Sequence, residues 1–169
     1  MNPVPAVRAK STNNVMASCP ESDVDIHVAA GVLRDPAGRV LISCRPAGKS
    51  QAGMWEFPGG KLEPGERPLA GLARELREEL GVDVMVARHL SRYSHDYPEH
   101  RVHLYVWLVI AWRGIPEGLE NQQLRWLQPT KLMSQGLLPA DEAIADLLQA
   151  EVAVNRLTTE QALTLATGN

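Results

Sequence analysis

Apolar and polar positions change their spacing along this chain, and the changes mark its elements. From Asp25 to Leu33 small and β-branched residues dominate, and Val40 to Cys44 is a second apolar run. Asp35-Pro36-Ala37-Gly38 between them has turn chemistry, which predicts a strand, a hairpin turn and a second strand. Residues 46–54 are rich in Gly, Pro, Ser and Lys and read as a loop. Trp55-Glu56-Phe57 then reads as a short strand that ends at a glycine turn, Pro58-Gly59-Gly60. There the spacing becomes helical. Leu69, Leu72, Ala73, Leu76 and Leu80 form one stripe, Pro68 suits the first helical turn and Gly81 the C-terminal cap. Val82 to Tyr93 reads as extended, Asp96-Tyr97-Pro98-Glu99 as a turn, and Val102 to Trp112 as a long strand rich in Val, Ile, Tyr and Trp. A polar loop over 113–123 leads to a last short strand, Leu124 to Leu127. Asp141 to Val152 is an amphipathic helix carrying Ile144, Leu147 and Leu148.

This order predicts an α+β domain over residues 23–152 with a mixed sheet between helices. Residues 1–22 contain Pro3, Pro5 and a Ser-Thr-Asn-Asn run without an apolar signal core, and are expected to be a flexible leader. Residues 153–169 are expected to be a tail, with a short helix at Thr158 to Ala166 only if tertiary contacts support it.

Bulk composition narrows the partners. At 169 residues and 44% hydrophobic content the chain suits one domain with a full core. A net charge of −3 gives no global basic footprint for a nucleic-acid polymer, so a small anionic substrate held by local cations or bound metal is favoured. No stretch approaches the roughly 20 apolar residues of a membrane span, so a soluble protein is expected. The two cysteines, Cys19 and Cys44, make no disulfide framework, which points to a reducing, cytoplasmic compartment with Cys44 as a small core residue. A monomer is expected.

The chemistry sits on the first helix. Glu75, Glu78 and Glu79, at i, i+3 and i+4, project from the side opposite the leucine stripe. Like charges so placed cost a few tenths of a kcal/mol, so a compensating cation is expected nearby. Carboxylates and a glycine-turn carbonyl make an oxygen-only donor set, which suits Mg2+ or Mn2+ and not a soft metal. Such an ion keeps places for phosphate oxygens, and the matching reaction is metal-assisted hydrolysis of a phosphoanhydride, with an unused carboxylate as general base. A merely solvated acidic face would predict neither the glycine turn nor the isolated Arg74.

Gly60, Glu66, Arg74, Glu75, Leu76, Glu78, Glu79, Gly81 and Val82 stand at the spacings of the Nudix hydrolase signature, and the chain resembles that family. From about residue 25 to 150 it is similar to the MutT branch, through Arg45, Trp55 to Lys61, Tyr97-Pro98, Trp107, Gly118 to Gln122 and Pro139-Ala140-Asp141-Glu142. The resemblance implies an α/β/α sandwich and a Mg2+-dependent enzyme that removes pyrophosphate from oxidised purine triphosphates, above all 8-oxo-dGTP, before a polymerase uses them. It implies Glu78 and Glu79 as metal ligands with the backbone of Gly59 or Gly60, Glu75 as ligand or base, and Glu120 as a further ligand or alternative base. Glu66 and Arg74 become a structural brace. Arg45, Ser50, Glu56, Phe57, Pro58, Gly59, Lys61, His100 and Asp141 become the substrate-binding set.

Two positions depart from that branch. Asp141 stands where it has an Asn that reads the base, and His100 where it usually has Arg. Ionised Asp only accepts hydrogen bonds, whereas Asn also donates; Pro-Ala-Asp-Glu is equally a good N-cap sequence. The alternatives are a pyrophosphohydrolase for CTP or modified pyrimidine triphosphates, which shares the Gln51-Ala52-Gly53 style of loop, and a non-catalytic nucleotide-binding module, which would typically lack some of the carboxylates. His95, His100 and His103 show no metal-ligand spacing, and Trp55, Trp107, Trp112 and Trp126 read as packing aromatics.

Overall fold

The computed structural model describes residues 24–167, so the leader expected over 1–22, with Cys19, lies outside the described residues. The strands are β1 (Val24–Leu33), β2 (Val40–Cys44), β3 (Trp55–Glu56), β4 (Gly59–Lys61), β5 (Asp83–Asp96), β6 (His100–Arg113) and β7 (Leu124–Leu127). The helices are α1 (Pro68–Leu80) and α2 (Pro139–Thr167), with a 3-10 segment at Pro129–Gln135 before α2 that the sequence pattern did not signal.

β1 and β6 form the spine. They pair in parallel from Val24↔His100 to Leu33↔Val109, while β4 adds antiparallel to β1 and β5 antiparallel to β6, giving a mixed sheet of order β4-β1-β6-β5. The expected mixed α+β class is therefore observed, but the expected β1–β2 hairpin is not. The Asp35 turn forms, with Asp35 accepting the Arg39 N–H at 2.9 Å, yet only one bridge, Arg34↔Val40, joins the two arms. β2 pairs instead with β3 and β7 in a second, antiparallel sheet.

Alternation along β1 divides the core between two layers. Ile26, Val28, Ala30 and Val32 face Val102, Leu104, Val106, Leu108 and the buried Ile144, Ala145 and Leu148 of α2. Ala29 and Leu33 face Leu72, Leu76 and Leu80 of α1. Each of those leucines is fully buried, a contribution of roughly 1.5–3 kcal/mol apiece. Two residues expected on the same stripe are not buried: Leu69, in the first turn, is 37% exposed, and Ala73 is half-buried. Trp112 of β6 stacks on Trp126 of β7 with centroids 6.0 Å apart, joining the two sheets.

Three boundaries differ from expectation. Gly59-Gly60 is not a turn but the first two residues of β4, hydrogen-bonded along β1. α2 starts two residues earlier than expected, at Pro139. It then runs to Thr167 through the expected break at 152 and the separate helix expected at 158–166, because no Gly or Pro follows Pro139 in that span.

Candidate metal and nucleotide site

Burial of Leu72, Leu76 and Leu80 fixes the rotation of α1, and with it the side on which its carboxylates stand. Gly81 closes the helix in the left-handed conformation, φ 68°, donating its N–H to Arg77 O. The compensating cation is Arg74. Its Nε and Nη2 donate to the two Glu66 oxygens at 3.0 and 2.9 Å, and Nη1 donates to Glu75 at 2.8 Å and Glu78 at 3.1 Å. Nη2 also reaches the Lys61 carbonyl at 3.2 Å, so one guanidinium ties α1, the loop before it and β4 together. Hydrogen bonds from Arg74 and the Glu63 N–H hold the Glu66 carboxyl below its usual range.

Glu79 is not neutralised in this way. Burial and the negative charge of Glu56, Glu120 and Glu75 push its pKa up to about 7, opposed by the Gly59 N–H, which it accepts at 3.4 Å. Glu56 is likewise raised by burial although Arg45 pairs with it at 2.5 Å. Glu120 is brought in by the loop before β7: the Leu119 N–H and the Gln122 side-chain amide both donate to the Glu79 carbonyl, at 3.0 and 2.9 Å. Lys49, from the loop between β2 and β3, pairs with Glu120. Neither Lys49 nor the supporting Gln122 was singled out from sequence, since both act across loops far apart in the chain.

β4 passes directly against the cluster. A Cβ built on Gly60 would lie 2.3–2.6 Å from the Glu75 carboxyl atoms, so only glycine lets the strand approach this closely. Among the described residues no three carboxylate or imidazole side chains form a ready metal cage. Glu75 and Glu78 are turned onto Arg74, and Glu120 onto Lys49. The donors present still fit a hard divalent cation. All are oxygens, and the negative charge of Glu56, Glu120 and Glu75 beside the part-buried Glu79 is what such an ion would offset.

Beside the cluster opens a cavity of about 280 Å3. Arg45, Ser50, Glu56, Gly59, Gly60 and Lys61 supply its polar lining, while Ile26, Val28, Val102, Leu104, Leu138 and Ala140 supply an apolar one with Tyr97 and His100. Tyr97 stacks on His100 with centroids 4.9 Å apart. Arg45 is engaged, donating from Nε to the Ser50 carbonyl at 2.7 Å as well as to Glu56.

Three residues of the expected substrate set do not line this cavity. Phe57 is 3% exposed in the core and Pro58 is buried, because Trp55 and Phe57 take the inward side while Glu56 faces the cavity. Asp141 is 5% exposed. Nor is it the N-cap, since α2 begins at Pro139; its Oδ2 instead accepts the Phe57 N–H across the site at 2.9 Å. Burial, with Glu56 adding, pushes its pKa up to about 7 against the opposing Phe57 N–H and Arg45.

The mixed sheet, a crowded carboxylate cluster and an adjoining cavity that is polar on one side and apolar on the other suit one class of protein, a hydrolase of a phosphate ester or anhydride. The NUDIX domain family matches residues 29–147. Among curated proteins, the chain is 38% identical to the CTP pyrophosphohydrolase of Escherichia coli, over 73% of this chain and 90% of that one. It is 33% identical to the 8-oxo-dGTP diphosphatase of the same organism, over 70% and 92%. A solved MutT structure from work on Aliivibrio salmonicida and Vibrio cholerae matches with a TM-score of 0.66 at 31% identity, over 75% of this chain and 98% of that one. The chain belongs to the Nudix family and is a MutT-like hydrolase of phosphoanhydride bonds.

Proposed function

We propose that the chain is a Mg2+- or Mn2+-dependent nucleoside triphosphate pyrophosphohydrolase acting on oxidised purine triphosphates such as 8-oxo-dGTP, releasing the monophosphate and pyrophosphate. The observation that carries this reading is the crowding of Glu56, Glu75 and Glu120 around Glu79, at the polar side of a cavity whose other side is apolar and aromatic. Glu75, Glu78 and Glu79 with the backbone of Gly59 or Gly60 would hold the ion, which when bound supplies positive charge to polarise the phosphoanhydride. Lys61 adds a cation on the polar lining, and Glu120, where it is not taken up as a ligand, would serve as the general base that takes a proton from water. The apolar wall and the Tyr97–His100 stack suit a base.

The E. coli CTP pyrophosphohydrolase relative favours a second reading, with a pyrimidine triphosphate as substrate. Steady-state pyrophosphate release on 8-oxo-dGTP, dGTP, CTP and 5-methyl-CTP decides between them. The highest kcat/KM is expected for 8-oxo-dGTP; a higher value for either pyrimidine would replace the first reading with the second.

Asp141 offers a separate check on the fold around the cavity. Its pKa is raised by burial, so stability is lost as pH climbs from the ordinary carboxyl range near 4 to about 7. Asp141→Asn removes that slope, which denaturant titrations across the same range would register.

A further inference from the structure

One residue of the cavity wall is held at both of its backbone polar groups by tyrosines. Ala140 follows Pro139 in the first turn of α2, so its N–H has no partner within the helix. The Tyr97 hydroxyl accepts that N–H at 3.3 Å, and the Tyr93 hydroxyl donates to the Ala140 carbonyl at 2.7 Å. Both tyrosines come from the end of β5 and the turn after it. Tyr97 is itself fixed, by its N–H to the His100 carbonyl at 2.8 Å, by its stack on His100 and by an edge contact from His95 at 4.7 Å. Burial keeps both hydroxyls protonated, so each remains a donor and an acceptor at any physiological pH.

The consequence lies in what Ala140 adjoins. It lines the apolar side of the cavity with Leu138, and the next residue is Asp141, whose carboxylate holds the Phe57 N–H. The β5–β6 turn, the first turn of α2 and the β3–β4 connection therefore meet at a single dipeptide. Neither tyrosine hydroxyl bonds a carboxylate of the cluster around Glu79: that of Tyr93 is on the Ala140 carbonyl, and that of Tyr97 is on the Ala140 N–H and the Gln51 side chain.

We propose that Tyr93 and Tyr97 are positioning residues for nucleotide selection: their hydroxyls set where Ala140 stands in the apolar wall of the cavity, and so which base is preferred. The proposal rests on the cavity being the nucleotide site. Base selection and hydrolysis are then supported by different parts of the molecule, and removing a tyrosine hydroxyl acts on the first.

The test compares wild type, Tyr93→Phe and Tyr97→Phe, which keep the rings; the first removes the bond to the Ala140 carbonyl, the second the bonds to the Ala140 N–H and to Gln51. Initial rates with 8-oxo-dGTP, dGTP and CTP in Mg2+ give KM and kcat separately, and thermal unfolding reports the fold. KM for the preferred nucleotide is expected to rise about fivefold per hydroxyl, more than kcat falls, and the kcat/KM ratio between preferred and disfavoured nucleotides is expected to shrink by a similar factor. In Tyr97→Phe the Ala140 amide is expected to exchange with solvent faster than in wild type. An active wild type with unchanged KM and selectivity in both variants overturns the clamp and leaves the hydrolase reading intact. A loss shared equally by all nucleotides and carried by kcat also overturns it, since that is the mark of general damage. A wild type inactive on every triphosphate overturns the underlying reading and the selection role together.

Discussion

Glu79→Gln is expected to lower kcat about 10³-fold and, at pH 8 without divalent metal, to make the protein more stable than wild type. Both effects come from one arrangement. Glu79 is mostly buried on α1 among Glu56, Glu75 and Glu120, and burial, with that surplus of negative charge adding, lifts its pKa from 4.5 to about 7. Such a carboxyl keeps its proton in the folded chain over a pH range where the unfolded chain has released it. Stability therefore falls as pH rises from about 4.5 to about 7, and the whole penalty, roughly 3 kcal/mol, is present above that window. Glutamine carries no charge and escapes it. The loss in rate follows because the same carboxylate is proposed as a metal ligand, and a neutral amide is a much poorer one. Denaturant unfolding at pH 5 and pH 8, with and without Mg2+, separates the parts. Mg2+ should raise the stability of wild type and have much less effect on the variant. A variant no more stable than wild type at pH 8 would show that Glu79 is not strained by its neighbours, and full activity would remove it from the catalytic set.

How far such an arrangement can be read from sequence depends on the range of the interactions that make it. α1 was legible almost entirely, because its start at Pro68, its cap at Gly81, its leucine stripe and the need for a cation beside its glutamates are all decided within a few turns of one helix. Leu69 and Ala73 fall outside the buried stripe, since burial depends on what packs over each position and not on spacing alone. β4 was read as a turn because two glycines are the local mark of one. Here they instead let the backbone lie against β1 on one side and Glu75 on the other, a requirement set by residues about 15 and 30 positions away. The same holds for Asp141. Pro-Ala-Asp-Glu is a sound local cap sequence, and nothing local shows that its carboxylate crosses to Phe57, 84 residues earlier. The departure of β2 from β1, the Lys49–Glu120 pair and the tyrosines on Ala140 are likewise long-range pairings of residues ordinary in their own neighbourhoods.

That distinction between local and long-range demands predicts opposite outcomes at two adjacent glycines. Gly59→Ala is expected to cost 4 kcal/mol or more, lowering Tm by roughly 8–16 °C, with activity lost through unfolding. The residue sits at φ 146°, which an L side chain rarely adopts, and its Cβ would stand 2.1 Å from the Ala29 carbonyl oxygen and 3.1 Å from the Ala30 Cα. Both neighbours are backbone atoms of the central strand, so nothing can swing away. The only relief is for β4 to detach from β1, breaking its ladder and the adjoining Gly31 N–H to Pro58 carbonyl bond of 2.8 Å. Gly60→Ala meets a different obstacle, the Glu75 carboxyl at 2.3–2.6 Å, which is the end of a flexible side chain. It can move aside with little cost to the fold, but then Glu75 leaves the cluster and its bond to Arg74. Tm is expected to stay within a few degrees of wild type while kcat/KM falls about 10²-fold. Thermal unfolding and initial rates on the two variants together decide the matter: a Gly59→Ala protein with wild-type Tm would mean that β4 does not lie in this register on β1, and a fully active Gly60→Ala protein that Glu75 need not stand against the strand for hydrolysis.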